Sequence, residues 1–213
     1  MNGSFDFPQP LSEKYRPRTI DGFIGLIKPK TVLRSFAARP FPSAWLFLGY
    51  SGVGKTTMAM ALAEEIGAEL QHIPSRACDL DTIEDACRRC HYVPLNGGMH
   101  LVLVDEADLM TPSSQNLFLS KLDSTAMPPA TIFIFTANSA ANLEERFISR
   151  CRVLLFEQES LAKELPIYLR KVFKRESGRI LGNGDELAKQ SGFNVRDALS
   201  NLEVELLMKG KRR

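Results

Sequence analysis

Long hydrophobic runs are missing from this chain. No apolar stretch in its 213 residues approaches the roughly 20 needed to cross a bilayer. Residues 1–12 are polar and carry Pro8 and Pro10, not a basic start followed by an apolar run, so no signal peptide is expected. Cysteine is scarce: only Cys78, Cys87, Cys90 and Cys151. Without a secretory leader, these four are expected to be reduced thiols in a cytoplasmic or nucleoid-associated protein with no membrane partner. Charge of one sign is not in excess either. Lys and Arg number 27 against 25 Asp and Glu, a formal net charge of +2, so no global field draws the chain to nucleic acid. Any such contact has to come from a local patch. Internal repeats and low-complexity tracts are also absent.

What is present is ordinary globular composition, 44% hydrophobic and 24% charged, enough for one large domain or a core with a small appendage. After a flexible leader over 1–12, short apolar runs alternate with helical patterns. Strands are expected over 44–48, 69–73, 100–104, 131–135 and 152–156, and helices over 29–38, 56–66, 81–90, 112–122 and 142–147. Thr111 precedes Pro112 as a helix cap, and Asp81 or Thr82 is placed to cap the 81–90 helix. Apolar strands alternating with helices predict an α/β domain over 13–157, a five-strand parallel sheet covered on both faces. Beyond Glu157 only helical patterns remain, over 158–176, 184–191 and 194–209. They form a small all-helical lid domain over 158–209, followed by a basic tail at 210–213.

Residues 49–56 read Gly-Tyr-Ser-Gly-Val-Gly-Lys-Thr, the phosphate-loop pattern of P-loop nucleotidases. Gly49, Gly52 and Gly54 allow the backbone to curl so that N–H groups along Tyr50, Ser51 and Val53 face one anionic point. The next helix begins there and adds its positive end, with Thr57 in its first turn. Lys55 reaches the β- and γ-phosphates as a point charge, and the Thr56 hydroxyl is offered to Mg²⁺. ATP and Mg²⁺ are the expected ligands. Residues 101–106 run Leu-Val-Leu-Val-Asp-Glu, four apolar residues and then two carboxylates at a strand's carboxyl end, where ligands of open α/β sheets bind. Asp105 is expected to hold the Mg²⁺ shell, and Glu106 to orient and polarise the attacking water. Thr136-Ala137-Asn138 closes the next strand, and the Asn138 amide can hydrogen-bond both that water and the γ-phosphate.

These segments occur together with Lys14-Tyr15-Arg16-Pro17, Asp105-Glu106-Ala107-Asp108, Ser149-Arg150-Cys151 and Val195-Arg196-Asp197-Ala198-Leu199. In that order they resemble the AAA+ ATPases, and within them the clamp-loader group, replication factor C small subunits and the bacterial γ/τ subunit, over about residues 13–205. The resemblance implies that Tyr15, Arg16 and Pro17 line the adenine and ribose side. It implies that Asn138 is the first γ-phosphate sensor and Arg196 the second, on the lid. Arg150 would be an arginine finger entering a neighbouring subunit's ATP site. Partners implied are a homo- or hetero-oligomer of AAA+ subunits, primer–template or other single-stranded or duplex DNA held by backbone contacts, and a sliding clamp or other replication protein. Ser75, Arg76, the 81–90 helix with Arg88 and Arg89, and the Ser113–Ser114 helix start would face the DNA.

Three points qualify that resemblance. Ile24-Gly25-Leu26 stands where the family has glycine-glutamine, and the chain ends where a helical collar domain would begin. Cys78, Cys87 and Cys90 with His91 have the look of a zinc set. They fall mostly on the 81–90 helix, after the second strand, and adjacent Cys90 and His91 project in different directions, which favours core cysteines. Two functions then compete. One is a clamp-loader-like ATPase in DNA replication or related DNA transactions. The other is a nucleotide-switched regulator with little hydrolysis, such as a helicase-loader-like or mobile-element accessory protein.

Overall fold

The computed structural model describes residues 9–94, 98–123 and 125–210. They divide into two compact units, one spanning Pro17–Glu157 and the other combining the segment up to Arg16 with residues from Gln158 onward.

In the first unit, α2 (Ile27–Ala37) leads into β1 (Ser43–Leu48), α3 (Lys55–Glu65), β2 (Glu69–Pro74), α4 (Leu80–Arg89), β3 (His100–Asp105), α5 (Pro112–Lys121), β4 (Thr131–Ala137), α6 (Glu145–Ser149) and β5 (Arg152–Leu155). Among the described residues the five strands pair in the order β2-β3-β4-β1-β5, every pair parallel. The predicted α/β architecture is the observed one. Strand side chains alternate between faces. One face of the sheet carries Leu46, Val102, Val104, Phe133 and Phe135, all fully buried beneath Ile83, Ala86 and Cys87 of α4, Phe118 of α5 and Phe147 of α6. Phe135 meets Phe118 and Phe147 edge-on, with ring centroids 5.0 and 4.8 Å apart. Such pairs add to plain burial because ring edges are positive and faces negative. The opposite face carries Leu101, Leu103, Ile132 and Ile134, each fully buried, and α3 packs on this side of β2, β3 and β4.

Several boundaries differ from those read in the sequence. The α2 helix begins two residues early because Gly25 and Leu26 both adopt left-handed backbone, φ 56° and 50°, and turn the chain into it. Pro29 then falls in the first turn, where a missing N–H costs nothing. Asp79, not Asp81 or Thr82, caps α4, its carboxylate accepting from the Thr82 N–H at 2.8 Å. The helix expected at 142–147 is the shorter α6 because Gln115, 2% exposed, claims the backbone before it. Its Nε2 donates to the Asn142 carbonyl at 2.9 Å and its Oε1 accepts from the Glu144 N–H at 2.9 Å. Replacing Gln115 by Ala strips both groups of their side-chain partner, at the exposed Asn142 and the half-buried Glu144. We expect a loss of about 1 kcal/mol, the usual net worth of such hydrogen bonds, read as a lower urea midpoint at unchanged slope. A loss indistinguishable from zero would mean water replaces the side chain.

The second unit contains α1 (Leu11–Lys14), α7 (Glu159–Ser177), α8 (Gly184–Gln190) and α9 (Val195–Gly210). Leu161, Leu165, Leu169, Val172 and Phe173 form the buried stripe of α7 and share this unit with buried Leu11, Leu187, Ala188, Leu199 and Leu202. A Cβ on Gly184 would meet the Pro166 carbonyl at 3.2 Å, so α8 starts against α7 where only glycine fits comfortably. The segment read as a loose leader therefore contributes a buried leucine here. Residues 13–16, which the sequence reading joined to the sheet domain, also belong to this unit: Lys14 pairs with Glu176 on α7 at 2.8 Å. Residues 1–8 and the tail at 211–213 lie outside the described residues.

Candidate active site

In a parallel sheet all strand carboxyl ends lie along one edge. Because β4 runs between β1 and β3, the loop after β1, the acidic end of β3 and the Asn138 turn after β4 converge there. The Lys55 ammonium is the hub. It is 7% exposed and donates to the Gly49 carbonyl at 2.7 Å, the Tyr50 carbonyl at 2.9 Å and the Asn138 Oδ1 at 2.9 Å. A buried cation bonded to neutral oxygens suits exchange for an anion. With its oxygen on Lys55, Asn138 keeps an amide NH₂ to donate. The Asn138 N–H in turn donates to Asp108 Oδ2 at 3.3 Å.

The loop glycines serve different ends. Gly52 and Gly54 are left-handed, φ 73° and 103°, which curls the loop into the α3 amino terminus. Gly49 has no such conformation. A Cβ there would lie 2.5 Å from the Phe156 carbonyl oxygen, so Gly49 is a packing requirement and not part of the curl. Val53 is 2% exposed, whereas Tyr50 is 68% exposed. Ser51 is exposed and Thr57 partly buried in the first turn of α3.

Asp105 Oδ1 accepts from the Thr56 hydroxyl at 2.6 Å and the Thr136 hydroxyl at 2.5 Å. His72 Nε2 lies 3.9 Å from Asp105 Oδ2. Adjacent hydroxyl and carboxylate oxygens from Thr56 and Asp105 are the hard donor set that suits a magnesium ion. Glu106, exposed, has left-handed backbone at φ 55°, which costs a residue with a Cβ about 1–2 kcal/mol. Its N–H donates to the Thr136 oxygen at 3.0 Å. Thr136 is therefore a site residue to which the sequence reading gave no role; the signal available was a hydroxyl at the carboxyl end of a largely apolar strand.

The remaining expected site residues fall in other elements. Arg150 caps α6 and precedes β5, so it sits at the amino end of the sheet. The four residues of β5 put roughly 13 Å of strand between it and the edge bearing the phosphate loop. It donates to Asp123 Oδ2 at 2.7 Å and holds that carboxyl below the usual carboxylate range. Arg196 is exposed in the first turn of α9, where Asn194 Oδ1 accepts from its N–H at 3.0 Å. Tyr15 donates its hydroxyl to Glu176 at 2.5 Å within the helical unit. Burial and that carboxylate push its phenol up to about 12. Arg16 donates to Glu13 at 3.2 Å, and Pro17 begins the sheet unit.

Of the residues read as facing DNA, Arg76, Arg89 and Ser113 are exposed, and Arg88 is paired with Asp85. Ser114 is not available: it is 1% exposed and its hydroxyl donates to the Cys78 carbonyl at 2.6 Å. Cys78, Cys87 and Cys90 all lie in the hydrophobic core under the sheet. Burial pushes the thiols of Cys78 and Cys87 up to about 11 and 12 and raises that of Cys90, which disfavours the thiolates that bind metal. No helix among the described residues is long and apolar enough to cross a membrane.

Known proteins bear on this geometry. The chain is 32% identical over 203 residues to replication factor C small subunit 1 of Pyrobaculum arsenaticum, covering 90% of this chain and 60% of that protein. It is 28% identical over 182 residues to the replication factor C small subunit of Methanothermobacter thermautotrophicus, covering 82% of this chain and 52% of the relative. The chain thus spans only about half to three fifths of the relatives it matches. Its fold superposes on the Thermotoga maritima RuvB Holliday junction branch migration motor with a TM-score of 0.71 at 17% identity, over 95% of this chain and 68% of that one. Residues 45–158, more than half of the chain and all of the converging site, match the ATPase family associated with various cellular activities, AAA, and the chain belongs to that family.

Proposed function

We propose that this chain binds ATP with Mg²⁺ at the loop 49–56 and hydrolyses it as one subunit of a clamp-loader-like oligomer acting in DNA replication. The observation that carries the reading is the hub at Lys55: one buried ammonium bonded to the loop carbonyls and to Asn138, with Thr56 and Asp105 in contact beside it. Incoming phosphate oxygens take Lys55 from its carbonyl partners and meet the loop N–H groups. Thr56 and Asp105 would hold Mg²⁺, which when bound would supply positive charge against the phosphates. Glu106 accepts the proton of the attacking water, and the free Asn138 NH₂ positions that water against the γ-phosphate. Arg150 lies at the wrong end of the sheet to serve its own loop, which favours action in a neighbour's site. Similarity to replication factor C small subunits supports subunit partners, primer–template DNA and a sliding clamp as the working context.

The test is steady-state ATP hydrolysis by the purified chain with and without primer–template DNA, at low salt so that phosphate contacts are not screened. Stimulation by DNA is the expected result. A flat rate near zero in both, with ATP still bound, would replace this reading with the nucleotide-switched regulator.

A further inference from the structure

We infer that Thr136 is a positioning residue for both acidic groups of the site, setting the Asp105 rotamer and the Glu106 backbone with one hydroxyl; the inference rests on the ATPase reading above. Thr136 is 1% exposed at the carboxyl end of β4. Parallel pairing of Val104 with Phe135 brings Asp105 level with Thr136 on the next strand. A threonine hydroxyl has one proton and two lone pairs. Here the proton goes to Asp105 Oδ1 at 2.5 Å and a lone pair receives the Glu106 N–H at 3.0 Å. Both neighbours need it. The Glu106 N–H belongs to a left-handed residue at the start of a tight turn, Ala107–Leu109, and the backbone there sets where the side chain leaves the chain. Asp105 Oδ1 also accepts from Thr56, but Thr56 lies in the first turn of α3, directly after the loop that meets ligand, whereas Thr136 belongs to the sheet. The sheet hydroxyl therefore keeps Asp105 oriented when ligand draws the Thr56 hydroxyl away. Ordinary strand packing would be served as well by valine, which has the same shape without the hydroxyl.

That difference is the test. Thr136→Val and Thr136→Ser are compared with wild type and with Glu106→Gln, using ATP turnover, ATP affinity, thermal melting and amide hydrogen exchange. Outer partners of this kind typically carry 10- to 100-fold in activity. For Thr136→Val we expect kcat to fall about 10- to 100-fold, KM and ATP affinity to stay close to wild type, and the Glu106 amide to exchange faster. Thr136→Ser should recover most of the lost turnover and protection because it restores the hydroxyl. The inference is overturned if the folded valine variant turns over like wild type or leaves Glu106 exchange unchanged. It is equally overturned if serine fails to rescue while both variants melt like wild type. If valine does not fold, the serine variant decides alone, since a packing role predicts that loss of the methyl weakens it and a positioning role predicts that it works. Glu106→Gln hydrolysing normally would instead bring down the site reading beneath the inference, a separate and recognisable outcome.

Discussion

Glu106→Gln is expected to bind ATP normally and to lose turnover by about 10²–10⁴, the range that positioned general bases contribute. The substitution keeps size and hydrogen-bonding capacity but removes the group that accepts a proton. Nothing in the phosphate loop depends on this side chain. Glu106 is exposed, and its structural contact is made by its backbone N–H to Thr136. Affinity should therefore be spared, with ATP trapped on the protein. Binding of a fluorescent ATP analogue together with single-turnover hydrolysis separates the two. Turnover within about threefold of wild type, well below what a general base contributes, would remove Glu106 from the role and turn attention to Asp108, whose buried Oδ1 has no hydrogen-bond partner among the described residues.

Arg150→Ala is expected to cost more, about 10³–10⁵ in the assembled state if the guanidinium acts in a neighbour's site as such residues do elsewhere. The fold keeps Arg150 from its own phosphate loop. Arg150 lies before β5 and the phosphate loop lies after β1, at opposite ends of two strands paired in parallel. A side chain of about 7 Å reach cannot span roughly 13 Å of strand in addition to the loop. Meanwhile Arg150 is held by Asp123, a half-exposed pair of the kind that is readily exchanged for a better anion. The decisive version mixes subunits. Arg150→Ala retains its loop, while Lys55→Ala retains its arginine, and neither alone should hydrolyse. Mixed together they should regain part of the activity, because intact loops then meet intact arginines across interfaces. Activity that never recovers on mixing, from two variants that still assemble, would place Arg150 in an intramolecular or purely structural role.

Much of the site was legible beforehand because its chemistry demands particular residue types at short spacing. Lys55 and Thr56 are adjacent, Asp105 and Glu106 are adjacent, and the apolar run before each predicted a strand ending at one common edge. Sequence alone thus determined the parallel α/β sheet, the phosphate loop, the acidic pair and the all-helical second unit, since each rests on local periodicity or on a motif whose mechanism is local. Tertiary structure decided the rest. That β4 lies between β1 and β3, bringing Asn138 onto Lys55 and Thr136 between Asp105 and Glu106, is a matter of strand order, which no spacing encodes. Leu11 and Tyr15 joined the helical unit, against the expected boundary, through a buried leucine and a bond to Glu176, 161 residues further along the chain. Gly49 proved to be required by Phe156 across the sheet edge, and α6 was shortened by Gln115 from another helix. In each case the deciding partner is distant in sequence and touches only after the chain has folded, so its contribution to the free energy has no local signature.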